Sequence, residues 1–231
     1  MIPICQFLFN LPLGSNQIPA FRGAVIRAMG DTVHPLMHNH EEGGYRFGYP
    51  LVQYKSVGGC AAIVAIGEVG DFLYEYFEAH QVLDLVVQKR KVACALTDAD
   101  RSLYIPEIED APKYYSLTDY LPLTDKNVET YDSLMALTDK ICFLEKILTG
   151  NILSFFKGIG YTSEQQIVPV VTSIERQHTI VYKKVHFRAF DLHFVSNVVL
   201  PDGIGLGKST SIGMGSVKQE PLPEQFKHYL T

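Results

Sequence analysis

Cysteine is scarce in this chain and positive charge is not in excess. Cys5, Cys60, Cys94 and Cys142 are the only four in 231 residues, and none forms a CxxC pair. That spacing excludes a zinc ribbon or a disulfide framework and fits a reducing cytoplasm, the expected location. The formal net charge of −5 excludes a protein that grips nucleic acid over its whole surface. No apolar stretch is long enough to span a bilayer. The start, MIPICQFLFNLPLGS, has an apolar run without a basic region or a small-residue cleavage site, so neither secretion nor membrane insertion is expected. Low-complexity tracts and short repeats are absent as well.

What remains is an ordinary globular composition. At 47% hydrophobic residues the chain can bury a full core, and its length suits one large domain or two of about 100–120 residues. Charge is unevenly spread: Arg176, Lys183, Lys184, Arg188, Lys208 and Lys218, with His178, His186 and His193, face only Asp191 and Asp202 in the same stretch. One face of the last third is therefore expected to be positive.

The first half reads strand, helix, two strands, helix, strand. CQFLFNLPL is a strand, and Phe21, Ala24, Val25 and Ala28 recur at helical spacing behind Pro19. YPLVQYKSV and CAAIVAIGEV form a hairpin through Gly58-Gly59, GDFLYEYFEAHQ is helical, and VLDLVVQKRKVACAL closes the unit as one strand. The order βαββαβ is ferredoxin-like. Residues 98–112, DADRSLYIPEIEDAP, are acidic and aperiodic and read as a link, giving domains at 1–108 and 109–231. Beyond it, KYYSLTDYLPLT is a strand and Lys126 to Phe156 a helix with Leu134, Leu137, Ile141, Leu144 and Leu148 on one stripe. IVPVVTSIER, HTIVYKKV and FRAFDLHFVSNVVL are three strand candidates of a second, distorted α+β unit.

Near the end, GIGLGKSTSIGMGSV (203–217) contains GLGKST, which imitates the phosphate loop of an ATPase. That loop requires GxxxxGK, and the first glycine's place is taken by Asp202, whose carboxylate would repel phosphate. Only 23 residues follow Lys208, too few for the rest of such a domain. A second cluster, GDTVHPLMHNHEEGGYRFGY, brings His34, His38, His40, Tyr45 and Arg46 into one polar loop, where histidine suits proton transfer at neutral pH. The rival for that loop is a cation held by His38, His40 and Glu41, but the sequence shows no further cluster to complete the coordination.

The run FDLHFVSNVVLPDGIGLGKSTSIGMGSV resembles the C-terminal signature of the RAMP superfamily, in particular the CRISPR-associated endoribonucleases of the sixth Cas family. Their hallmark, GxGxxxxxxGxG, is matched by Gly203, Gly205 or Gly207, Gly213 and Gly215, followed by Val217. YPLVQYKSVGGCAAIVAIGEVGDFL resembles the N-terminal hairpin of the same family.

The resemblance implies two tandem ferredoxin-like domains and metal-independent cleavage of CRISPR repeat precursor RNA, with no cofactor. The products would end in a 2′,3′-cyclic phosphate and begin with a 5′-hydroxyl. It also implies His40 as general acid or base, His38 as second histidine, Tyr45 as hydrogen-bonding partner of ribose or phosphate, and Lys55 as holder of the scissile phosphate. The glycine-rich loop, with Gly205, Gly207, Lys208, Ser209, Gly213 and Gly215, would bind the RNA backbone through outward-facing N–H groups, aided by Lys183, Lys184 and Arg188. Otherwise its glycines serve a tight turn. The alternative function is a non-catalytic RAMP-type RNA-binding subunit of a CRISPR effector complex. The family also makes a homodimer an open expectation.

Overall fold

The computed structural model describes the backbone of residues 1–38, 40–41, 44–45 and 48–224, and the side chains of these residues except 38, 40, 41, 44, 45 and 110. The chain divides into two compact units. One is Met1–Ile105 with Ser211–Gly213; the other begins with Pro106–Thr210 and resumes at Met214.

In the first unit the elements run β1 (Ile2–Pro12), α1 (Ile18–Met29), α2 (Pro35–His38), β2 (His40–Glu41), β3 (Gly44–Tyr45), β4 (Val52–Val57), β5 (Cys60–Ile66), α3 (Glu68–Ala79), β6 (Val82–Val87) and β7 (Arg90–Tyr104). The main sheet is antiparallel in the order β4-β5-β1-β7-β6. Alternation along β1 sends Phe7 and Phe9 to the helices, where both meet Phe77 of α3 edge-on at 4.9 and 5.3 Å. Phe21 of α1 sits between Phe9 and Tyr54, with both centroids at 6.0 Å. These rings are all buried, and together they fix α1 and α3 on one face of the sheet.

Two expectations for this unit are corrected. VLDLVVQKRKVACAL is a hairpin rather than one strand: β6 and β7 pair across Gln88 and Lys89, both in the left-handed region at φ 49° and 67°. Turns of that type favour Gly and Asn, so QK carried no turn signal. The stretch 98–112 is no aperiodic link. β7 runs to Tyr104 against β1, and the next strand begins at Ile108. Its residues are exposed on both sides through most of 97–103, so it is held by backbone pairing and lacks the alternation that marks a half-buried strand.

The second unit comprises β8 (Ile108–Tyr120), α4 (Asp125–Ser133), α5 (Leu137–Gly158), β9 (Pro169–Tyr182), β10 (Val185–Val198) and β11 (Ser216–Glu220). Its sheet order is β11-β8-β10-β9. Each sheet thus places its first and third ferredoxin strands side by side at the centre, and the expected α+β class with two ferredoxin-like domains holds. Between β10 and β11 the glycine-rich segment, with a 3-10 turn at Thr210–Ile212, stands where the second helix of the motif would be. Two candidate strands fuse into the single β9, and the long helix breaks at residues 134–136. The buried stripe of α5 is Leu144, Leu148, Ile152, Phe155 and Phe156, while Leu137 is exposed.

Candidate functional site

The histidine-bearing loop is built from the end of α1. Gly30 leaves the helix at φ 55°, a conformation that costs glycine nothing. Pro35 then opens α2, and His34 just before it is committed to that turn. Its Nδ1 accepts the Leu36 N–H at 3.2 Å, and its ring lies 5.3 Å from Phe72 of α3. Arg22 of α1 donates to the Met37 carbonyl at 3.4 Å, and Met37 is buried. α2 ends at His38, and beyond it comes a two-residue hairpin in which His40 stands opposite Tyr45 and Glu41 opposite Gly44. The backbone thus pairs the two residue types expected to share the chemistry. The side chains of His38, His40 and Tyr45 lie outside the described residues.

Lys55 sits in β4 opposite Ala62 and is only 2% exposed. Burial pulls its pKa down from the ordinary lysine value to about 7, because desolvation penalises the ammonium. Neighbouring Gln53 is equally buried and donates to Tyr49 Oη at 2.8 Å. A Cβ on Gly213, which belongs to the first unit, would lie 2.7 Å from Ile18 Cδ1, 3.2 Å from the Tyr54 carbonyl and 3.7 Å from Lys55 Cα. The crowding comes from the end of Ile18 and the Tyr54 carbonyl, and the residue's φ of 95° favours glycine as well.

In the second unit the rest of the glycine-rich loop is clamped to β8 and β11. Gly203 N–H bonds Val217 O at 2.9 Å, Val217 N–H bonds Ile204 O at 2.9 Å, and Leu206 N–H bonds Gly215 O at 2.8 Å. Lys208 N–H reaches Leu121 O at 3.1 Å and Gly215 N–H reaches Asp119 O at 3.0 Å. Outward-facing N–H groups are therefore not what these positions offer: the amides of residues 203, 206, 208, 215 and 217 are spent inside the fold. The glycines answer to packing. A Cβ at Gly205 would meet Thr210 Cβ at 2.7 Å, one at Gly207 would meet Tyr120 Cε2 at 2.8 Å, and one at Gly215 would meet Leu206 O at 1.8 Å. Lys208 keeps its ammonium 5.3 Å from the centre of the Phe187 ring, a cation–π placement. Ser209 holds φ 59°, while Thr210 is buried.

The basic stretch is more neutral than its sequence. Arg188 forks onto both carboxylate oxygens of Asp132, which holds that carboxyl below its usual range. Arg176 binds Asp191 at 2.8 Å and Lys218 binds Glu220 at 2.9 Å. Lys183 and Lys184 form the exposed β9–β10 turn at φ 49° and 66°, with the Lys183 ammonium 5.5 Å from the Tyr182 ring. No carboxylate stands at useful spacing along the chain from His178 or His193, yet the fold brings one to each. His178 Nε2 lies 2.9 Å from Asp119 Oδ1, and His193 Nδ1 lies 3.5 Å from Glu175. These partners come from elsewhere in the sheet or the strand pair, which spacing along the chain does not show. Asp119, His178 and Asp191 also form the one group among the described residues whose donor atoms cluster as a cation's ligands would.

Tandem ferredoxin-like units, with a glycine-rich loop replacing the last helix, define a RAMP-type fold. Known proteins make the assignment narrower. The Cas6b N-terminal domain matches residues 1–101 and the Cas6b C-terminal domain residues 107–220, so the chain belongs to the Cas6b family, within the Cas6 CRISPR RNA-processing endoribonucleases. An uncharacterized protein of Methanocaldococcus jannaschii is 35% identical over 109 residues, which is 47% of this chain and 73% of that protein. A crystal structure of Cas6b superposes at TM-score 0.82 with 23% identity, covering 95% of this chain and all of that one (100%). A CRISPR RNA processing endoribonuclease Cas6b gives 0.71 with 22% identity over 95% and 100%. The type IV Cas6 crRNA endonuclease Csf5 gives 0.63 with 14% identity over 94% and 99%. No helix among the described residues is long and apolar enough to cross a membrane.

Proposed function

We propose that this protein cleaves CRISPR repeat precursor RNA without a metal, the ribose 2′-OH attacking its own phosphate to leave a 2′,3′-cyclic phosphate and a 5′-hydroxyl. The observation that carries the reading is the short hairpin pairing His40 with Tyr45 directly after His38, in a chain of the Cas6b family. His40 is the general acid or base, His38 assists it, and Tyr45 hydrogen-bonds the ribose or the phosphate. Lys55, its pKa lowered by burial to about 7, is suited to proton transfer near neutral pH. It answers charge developing on the phosphate as a proton carrier as much as a fixed cation. Lys208, Ser209, Lys183 and Lys184 hold the RNA backbone. Gly205, Gly207, Gly213 and Gly215 contribute by shaping the loop that carries Lys208, and Arg188 by bracing the β9–β10 hairpin against α4 through Asp132.

The test is incubation with the repeat RNA of the CRISPR array nearest its gene, in EDTA, with analysis of the product ends. Cyclic phosphate and 5′-hydroxyl ends support the reading. Tight binding with no cleavage replaces it with an RNA-holding subunit of an effector complex, and cleavage abolished by EDTA replaces it with metal-dependent chemistry.

A further inference from the structure

Asp119 is a non-glycine residue at φ 51°. It lies at a β-bulge, where pairing steps from Phe190↔Tyr120 to Leu192↔Leu117 and leaves Thr118 and Asp119 facing the single Asp191. Bulges bend a strand and re-aim the residues beyond them, and a left-handed residue persists only where its surroundings hold it. Here the hold is specific. Asp191 Oδ1 accepts the Asp119 N–H at 2.8 Å, His178 Nε2 meets Asp119 Oδ1 at 2.9 Å, and Arg176 Nε donates to Asp191 Oδ2 at 2.8 Å. Three strands are thereby tied at one residue. In that conformation the Asp119 carbonyl receives the Gly215 N–H, and two residues on, Leu121 receives the Lys208 N–H. Both ends of the loop segment that carries Lys208 hang from this turn of β8.

We propose that Asp119, His178 and Asp191, braced by Arg176, are positioning residues that fix the glycine-rich loop, and with it Lys208, for contact with the RNA backbone. This rests on the RNA-binding role proposed for Lys208. The cluster works as a hydrogen-bonded tie and not as a cation site. An imidazole ligating through Nε2 carries its proton on Nδ1, and His178 Nδ1 is buried with no partner among the described residues, whereas metal-bound histidines donate that proton to an acceptor. Arg176 and the Asp119 N–H each donate to one oxygen of Asp191, and the Arg176 guanidinium already balances that carboxylate's charge.

Hydrogen exchange on the full chain, read over residues 203–217, tests this with Asp119→Ala, His178→Ala and Asp119→Asn. Asparagine tolerates the left-handed conformation and keeps the acceptor, so Asp119→Asn should exchange as wild type. The two alanine variants should exchange at Leu206, Lys208 and Gly215 at least about tenfold faster, with α3 and α5 unchanged. Their affinity for the repeat RNA should fall about fivefold while the cleavage rate at saturating protein stays near wild type. Unchanged loop exchange in both alanine variants overturns the proposal, as does loosening of the wild-type loop by EDTA alone, which would reveal a bound cation. A loosened loop with full RNA affinity, in these variants and in Lys208→Ala, overturns the RNA-binding role of the loop instead.

Discussion

Replacing Gly215 by alanine puts a methyl group where the fold has no room. A Cβ there would lie 1.8 Å from the Leu206 carbonyl oxygen, and the residue holds φ 64°. The obstacle is backbone, so the two segments must part by roughly 1.5 Å to reach ordinary van der Waals separation. That movement breaks the bonds from Leu206 N–H to Gly215 O and from Gly215 N–H to Asp119 O, about 1 kcal/mol each. The left-handed conformation adds about 1 kcal/mol for a residue with a side chain. The sum, about 3 kcal/mol, should lower the melting temperature by roughly 10 °C for a domain of this size. Gly150 supplies the control: it is exposed within α5 and a Cβ there meets nothing within 4 Å among the described residues. Gly150→Ala should therefore stabilise by about 0.5–1 kcal/mol. Thermal and urea unfolding monitored by circular dichroism measure both. A Gly215→Ala protein as stable as wild type would refute the packing account of the loop.

Lys208→Ala should weaken repeat RNA binding roughly tenfold, about 1.4 kcal/mol, and flatten its salt dependence by about one phosphate contact; filter binding at several salt concentrations reads both. Lys55 predicts a pH effect on stability. Its folded pKa of about 7 lies below the ordinary value, so the unfolded chain binds that proton more tightly. Its contribution to stability therefore grows as pH rises from about 7 towards 10. Urea denaturation across that window should show this rise in wild type and a flatter curve in Lys55→Met, and equal slopes would contradict the lowered lysine pKa. Swapping Lys184 for glycine relieves a left-handed lysine at φ 66° and should raise the melting temperature slightly while weakening RNA binding a few-fold.

Much of the fold was legible because its core-facing segments obey simple periods. CQFLFNLPL alternates, α1 repeats at helical spacing, and Gly58-Gly59 marks the β4–β5 turn. What escaped detection was held by backbone geometry without a matching side-chain signal. The Gln88-Lys89 turn has no glycine, and residues 98–103 pair with β1 while burying little. The candidate loop was legible as three histidines near a tyrosine, yet only the structure separates His34, tied to the start of α2 and to Phe72, from the hairpin beyond it. The glycine pattern was plain in the sequence. Its function in packing was not, because the atoms that forbid a Cβ at Gly207 and Gly213 belong to Tyr120, Leu121, Ile18 and Tyr54, far away along the chain. Asp119 and His178 likewise meet across 59 residues.

The central claim is that His40 moves a proton in the cleavage step. Single-turnover cleavage of the repeat RNA in EDTA by His40→Ala, with RNA affinity measured on the same protein, tests it most directly. The account predicts a rate lower by roughly 10²–10⁴-fold with affinity within about a factor of three, since general acid–base catalysis acts on the transition state. His38→Ala should lose less, and a double variant scarcely worse than His40→Ala would show the two working as a unit. Wild-type cleavage rates in His34→Ala, His38→Ala and His40→Ala alike would contradict the assignment.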